Sequence, residues 1–430
     1  MNRTILILGA EGYLGWPLAV RLALHYPDQK IILLDNGWRK STVANLGFGP
    51  WLQIPDLSSR IEAFGRKYRL ANMCAVHAEV CSDELAELIR RERPHTIYHL
   101  AQQCSASYSM LGLQQALYTI RNNEEGNMRL LWAVREYVPK AHIIKLGSFG
   151  EYAKGGLPIA EGYFKPGYKG QLASKPLPYP RAANDIYHVS KINDSNYVAM
   201  AARTWGLRIT EVMQATVFGL LTSEMDASPD LFTRFDYDPI FGTVANRFLA
   251  QVVSGSPMTV YGSGNQRTGL MALNDAVNSL ARFVEDVPPI GEHRVVNHVT
   301  ETHYSINELA EDIADIARGV GLDPKISFTS DLRGESAAKK PIYSIETSLQ
   351  GSHLYHTDFH TVIRESISLL QKQYSTLLSH HFSPHSAWNE FSDGKNLDLK
   401  RVDAVRNIEN EAYWDQISFN TYPSTRVNLN

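Results

Sequence analysis

Apolar and polar positions along this chain alternate between two periods from its first residues onward. Residues 5–8 form a continuous apolar run of strand length; Leu18, Val20, Leu22 and Ala23 then recur at helical spacing, and a second apolar run closes on Asp35. This is a βαβ unit. The alternation continues through a helical stretch, the segment Ala78-Glu79-Val80, a helix over 83–91, a buried strand over 96–101, a helix over 116–137 and a strand over 142–146 that runs into Gly147-Ser148. Strands that alternate with helices predict an α/β fold of Rossmann type, a doubly wound parallel sheet. Residues 153–184, rich in Gly, Pro and Lys without a sustained period, read as a long loop. A helix over 185–205 and a strand over 207–219 follow. From 220 the elements shorten, with helices in TVANRFLAQVVSG and SINELAEDIADIARGV around the strand PMTVYG, which predicts a smaller C-terminal substrate-binding subdomain. The expected boundaries are 1–219 for the Rossmann domain, 220–375 for the subdomain and 376–430 for a polar C-terminal extension.

The turn after the first strand carries the first chemistry. Gly9, Gly12 and Gly15 tighten it, let backbone approach a pyrophosphate, and let the following helix pack on the sheet, while the free N–H groups of that helix face the phosphate charge. Asp35 stands 20 residues after Gly15, where a carboxylate accepts from both ribose hydroxyls and repels a 2′-phosphate. NAD is the expected cofactor. Arg39 leaves the alternative open, because a guanidinium there would serve the 2′-phosphate of NADP. Asn36, Glu79, Val80 and Ala101, at successive strand ends, complete the expected cofactor lining.

The 430 residues are 44% hydrophobic and 20% charged with a net charge of −3, enough for a large α/β domain plus a smaller one. Interspersed signs without a basic stripe argue against nucleic acid and anionic membrane as partners. The first apolar run is too short for a signal peptide or a membrane span, so the cytoplasm is the expected compartment. Cys74, Cys81 and Cys104 have no metal-ligand spacing, and no carboxylate or cysteine completes a set around His380 and His381. No metal is expected.

Tyr187 and Lys191 stand at i and i+4, one face of a helix, so an ammonium can sit beside the phenol and lower its pKa. Ser148, at the end of a central strand, can share the substrate proton. Ser148, Tyr187 and Lys191 together suit oxidation of an alcohol, with Tyr187 as base.

At these residues the chain resembles the extended short-chain dehydrogenase/reductase superfamily, and within it the UDP-sulfoquinovose synthase family. The resemblance runs over roughly residues 4–375 in strings such as GYLGW, LLDN, SASYSM, KLGSFGEY, LPYPRAANDIYHVSK, FDYDPIFGTVANRF and MTVYGSGNQ. It implies tightly held NAD that oxidises the 4-hydroxyl of a hexose, acidifies the proton at position 5 and permits loss of the 6-hydroxyl as water; in the sulfoquinovose synthases sulfite then adds. It also implies a homodimer. Nucleotide-sugar 4,6-dehydratases carry an Asp-Glu pair directly after the strand-end hydroxyl residue, and here Phe149-Gly150 occupies those places. Glu151 and His188 match the sulfoquinovose synthase pattern and become the candidate acid and base.

The chain also departs from that pattern. The family has Glu at Gln102 and Arg at Cys104, beside Gln103, and its Gln-x-Arg becomes Gln266-Arg267-Thr268, which shifts the arginine by one residue and so to the other face of a strand. Arg333 matches a family arginine, and Asn246-Arg247-Phe248 is retained. Gln103, Cys104, Asn246, Arg247, Arg267 and Arg333 are the candidate substrate-binding residues. The expected activity is that of an NAD-dependent sugar dehydratase acting on a nucleotide sugar or, with anion binding weakened, a nucleoside. UDP-sulfoquinovose synthase activity, 4-epimerisation and a non-catalytic NAD-binding partner protein are the alternatives.

Overall fold

The computed structural model describes residues 3–153, 158–225, 228–299, 303–329, 345–348 and 357–379. Seven parallel strands form its main sheet: β1 (Thr4–Leu8), β2 (Lys30–Asp35), β3 (Met73–His77), β4 (Thr96–His99), β5 (His142–Ser148), β6 (Arg208–Gln214) and β7 (His293–His298), in spatial order 7-6-5-4-1-2-3. The order reverses between β1 and β4, and ligands of doubly wound sheets bind in the crevice beyond the strand ends at that point. Residues of β1 are buried throughout because helices cover both faces, which is why the run has no polar alternation. Helix Gly15–His25 packs on one face through Trp16, Leu18, Ala19 and Leu22. Helices Asp83–Glu92 and Gly126–Tyr137 cover the other through Leu85, Leu88, Leu130 and Val134.

The expected helix over 116–137 is interrupted. Leu113–Ile120 passes through a π-helical turn at Arg121–Glu125 before continuing as Gly126–Tyr137. That turn carries Asn123, whose Oδ1 accepts from Gln103 N at 2.8 Å and whose Nδ2 donates to Gln103 O and Ser190 Oγ, both at 3.0 Å. The extra residue thereby ties the loop after β4 to the helix that carries Tyr187.

A second core lies beyond the sheet, where helices Val244–Ser254, Ile306–Gly319 and Phe359–Ser379 bury Phe248, Leu249, Leu309, Ile313, Ile363 and Leu370. The expected boundary at 219 is crossed in both directions. Helix Leu273–Arg282 and β7 return to the Rossmann sheet, while Trp51 and Leu52, from the N-terminal part, insert into the second core. The extension 376–430, including His380 and His381, lies outside the described residues from 380 onward. Among the described residues no helix is long and apolar enough to cross a membrane, and no His, Cys, Asp and Glu cluster could hold a metal.

Candidate active site

The turn after β1 is built for close approach. Gly9 has φ +83°, and a Cβ there would lie 2.6 Å from Ala101 N; one on Gly15 would lie 2.2 Å from Gly9 O. Helix Gly15–His25 starts without a side-chain cap and without an acidic residue in its first turn, which leaves its positive end available to a pyrophosphate. At the end of β2, Asp35 accepts from Glu11 N at 2.9 Å and Gly37 N at 2.8 Å. Burial pushes its carboxyl up from the usual carboxylate range while those N–H groups pull it down, and each oxygen keeps a lone pair for a ribose hydroxyl. Asn36 Oδ1 accepts from Trp38 N at 3.0 Å; Val80 is buried and Glu79 exposed just past β3. These residues fit NAD.

Arg39, expected near the adenosine ribose, makes its contacts with the loop after β4 and the segment around Asp236. Its Nε pairs with Asp236 Oδ2 at 3.3 Å, its two Nη atoms lie 3.3 and 3.2 Å from Cys104 Sγ, and its guanidinium carbon sits 3.9 Å over the Phe241 ring.

Ser148, Tyr187 and Lys191 come together between the end of β5 and helix Ile186–Trp205. Ser148 Oγ accepts from Gly150 N at 3.2 Å and hydrogen-bonds the Tyr187 phenol. The expected lowering of the Tyr187 pKa is not what the structure gives: burial, with Cys104 next, pushes the phenol well above its ordinary range, and Ser148 lowers it only in part. Lys191 Nζ donates to Gln102 Oε1 and to Leu146 O. Burial, then repulsion from Lys145, brings Lys191 down to about 8.

His188 is held as a base would be. Asp185 caps the helix, accepting from His188 N at 2.9 Å through Oδ1 and from the imidazole Nδ1–H at 2.6 Å through Oδ2. The other ring nitrogen points at position 150, where a Cβ would lie 2.0 Å from Nε2. The absence of a side chain at Gly150 is what admits the imidazole.

Glu151, expected as acid or base, is held from several sides. It is fully buried, its Oε1 accepts from Ser148 N at 2.7 Å, and its Oε2 accepts from Arg181 at 2.5 Å and Ser195 Oγ at 3.0 Å. A carboxylate tied into a capping box and a buried ion pair positions Ser148. Gln103 is likewise turned inward: it is buried, and its Nε2 donates to Ser105 O at 3.0 Å and Thr119 Oγ1 at 2.9 Å.

The remaining candidates lie in the smaller subdomain. Asn246 is buried beside Tyr13, whose hydroxyl donates to Gly219 O. Arg247 donates to Thr259 O at 3.1 Å and lies 4.3 Å over the Tyr261 ring. Arg267 pairs with Glu308 at 3.1 Å, while its neighbour Thr268 meets Thr216 at 3.2 Å on the other face of the strand. Arg333 lies outside the described residues.

Sequence reasoning missed Asp185 and Asp194, and met Gln102 only as a departure from the family pattern. The spacing Asp185-x-x-His188 at a helix start was a readable cue for the first; nothing local marked Asp194.

A family model described as the NAD dependent epimerase/dehydratase family matches residues 5–297. The chain is 34% identical over 324 residues to the chloroplastic UDP-sulfoquinovose synthase of Spinacia oleracea, an alignment that covers 75% of this chain and 66%, just under two thirds, of the spinach protein. It is 33% identical over 333 residues to the UDP-sulfoquinovose synthase of Sulfolobus acidocaldarius, over 77% of this chain and 83% of that one. Among solved structures, the UDP-glucose 4-epimerase of Thermotoga maritima superposes with a TM-score of 0.60 at 18% identity, covering 86% of this chain and 99% of the epimerase. The dTDP-glucose 4,6-dehydratase of Bacillus anthracis, in complex with NAD, superposes at 0.59 and 16% identity, covering 86% and 97%. The fold of these enzymes, the NAD-fitting turn and the sequence similarity agree, and the chain belongs to the NAD-dependent epimerase/dehydratase family of extended short-chain dehydrogenases/reductases.

Proposed function

We propose that this protein is an NAD-dependent nucleotide-sugar dehydratase that oxidises a ring hydroxyl transiently, eliminates water across positions 5 and 6, and releases product without net reduction of its cofactor. The Asp185–His188 pair carries the reading. An imidazole with Nδ1–H fixed on a carboxylate presents an Nε2 lone pair, and it does so at the place of the Asp-Glu pair of 4,6-dehydratases. NAD, when bound, supplies the hydride acceptor for the sugar carbon and gives the hydride back.

Tyr187 takes the hydroxyl proton as its phenolate, a state that Ser148 favours and burial opposes. The resulting ketone acidifies the proton at position 5. His188 removes that proton through Nε2 and delivers it to the departing 6-hydroxyl, so a single group serves both halves of the elimination. Lys191 orients the site from the next turn of the same helix. Glu151 and Arg181 keep Ser148 in place.

A second reading, addition of sulfite to the intermediate alkene, is favoured by one observation. Arg39 brings a guanidinium to within 3.3 Å of Cys104 Sγ, the position at which the sulfoquinovose synthase pattern has arginine, and a guanidinium is suited to an oxyanion. Incubation with UDP-glucose, with and without sulfite, tests both readings by mass: loss of water in either arm supports dehydration, a sulfonated product in the sulfite arm supports the second reading, and an unchanged mass with an inverted hydroxyl contradicts both.

We also infer a homodimer. Leu113, Leu117 and Ile120 line one face of their helix and are 70, 50 and 42% exposed, with Val189 of the Tyr187 helix 44% exposed, an apolar stripe suited to the same stripe on a second copy.

A further inference from the structure

Beneath Lys191 lies a group of buried charges of which the reaction as described uses only Glu151 and Arg181. On β5 and β6, Lys145 pairs with Glu211 at 2.8 Å; Arg181 pairs with Glu151 at 2.5 Å and Glu211 at 3.2 Å; His293 of β7 stands 3.2 Å from Glu211. Each of those carboxylates has a cation of its own. Asp194, one turn beyond Lys191 and fully buried, makes no such pair: its Oδ2 accepts from Gln102 Nε2, and its Oδ1 has no hydrogen-bond partner. The same Gln102 amide accepts from Lys191 Nζ through Oε1. Both acceptors of Lys191, Gln102 Oε1 and Leu146 O, are neutral. The lysine is thus linked to a carboxylate only across one oriented amide, whose two ends fit a cation and an anion.

We propose that Asp194 is a positioning residue for the reaction, acting through the Gln102 amide to fix Lys191 beneath Tyr187 and keep it as an ammonium. The arrangement explains why a glutamine side chain is oriented with its carbonyl on the lysine and its amide on the aspartate. Other groups oppose or share the effect. Lys145 repels Lys191, and Glu151, then Asp194, then Glu211 attract it; of the three, Glu151 and Glu211 also pair directly with Arg181 or Lys145, whereas Asp194 reaches the lysine through Gln102. His99 of β4 is buried with neither ring nitrogen hydrogen-bonded, and burial holds it down to about 3, so it stays neutral and adds no charge. Burial raises Asp194 to about 7 and lowers Lys191 to about 8, so the pair responds to a single lost charge within the pH range in which the protein can be studied.

The proposal rests on Tyr187 and Lys191 being the working pair, and its test needs no substrate, so the two can fail separately. Protein labelled with carbon-13 at lysine Cε is titrated by NMR, with the Lys191 resonance assigned by its loss in Lys191→Arg. Asp194→Asn should lower the Lys191 midpoint by about one pH unit, a tenfold loss of proton affinity. Gln102→Met, which keeps the aspartate but cuts the bridge, should lower it in the same direction. The double variant Asp194→Asn/Gln102→Glu, which moves the carboxylate onto the bridge, should restore it. A midpoint unchanged in Asp194→Asn, or in Gln102→Met if the first variant does not fold, overturns the proposal.

Discussion

His188 and Gly150 occupy one place between them: the imidazole Nε2 stands 2.0 Å from where a Cβ on residue 150 would be. A side chain at 150 and an inward imidazole are mutually exclusive. Gly150→Ala should therefore expel His188 from its hydrogen bond to Asp185 and cut dehydration by at least about 100-fold, the lower end of what a positioned acid or base contributes. His188→Asn should lose as much, and NAD should remain bound in both. Steady-state product formation and cofactor content of the purified variants check this; normal turnover in Gly150→Ala would remove His188 from the mechanism.

Tyr187→Phe deletes the phenol and keeps the ring against His188, 4.5 Å away. Oxidation should be abolished with thermal stability near that of the wild type. If turnover stayed within about tenfold, roughly 1.4 kcal/mol, another group would be the base.

Glu151→Ala should act on stability first. It strips Arg181 of one of its two carboxylate partners and Ser148 N of its acceptor in a fully buried setting, a loss of about 3–5 kcal/mol. Urea unfolding measures it; a change below about 1 kcal/mol would mean that the carboxylate is free to serve the substrate instead.

Much of this was legible in the chain and some was not. The βαβ unit, Asp35 and the Tyr187/Lys191 face are periodic features, and periodicity survives folding because each strand and helix buries the face its own spacing defines. Ser148 stood out at the end of its strand, and His188 through the resemblance to the sulfoquinovose synthases. The partner of Arg39 was not legible: Cys104 is distant in sequence, and only the packing of Trp38–Asn45 against the loop after β4 brings them together. The partners of Glu151 and Gln103 were not legible either, since Arg181 and Asn123 reach them only through the fold. Return of the chain over 273–298 to the first sheet was hidden because loose, short elements carry no mark of which layer they join.

Burial holds His142 down from an ordinary 6.5 to about 4, with Nδ1 on Phe283 O at 2.9 Å and Nε2 on Thr210 Oγ1 at 2.8 Å. The unfolded chain takes a proton below about 6.5 and the folded chain does not until about 4. Stability from this site is therefore complete above 6.5 and lost as pH falls through that window, by about 1.4 kcal/mol per pH unit. His142→Gln lacks this slope, so the stability gap between wild type and variant should shrink by about 2 kcal/mol between pH 6.5 and 5 in urea unfolding. A gap independent of pH would show that the imidazole is charged in the folded protein.

Leu113→Lys/Leu117→Lys should turn the protein into a monomer without loss of fold, since both side chains are exposed in the single chain. Sedimentation velocity of wild type and variant checks this, and a wild type that sediments as a monomer would contradict the expected pairing.

The most direct test of the dehydratase account is the purified protein incubated with UDP-glucose, with product mass and cofactor absorbance followed together. The account predicts a nucleotide sugar lighter by one water, formed over many turnovers with no net accumulation of NADH and absent with His188→Asn. Stoichiometric NADH with the water retained, or conversion to an epimer of unchanged mass, would contradict it.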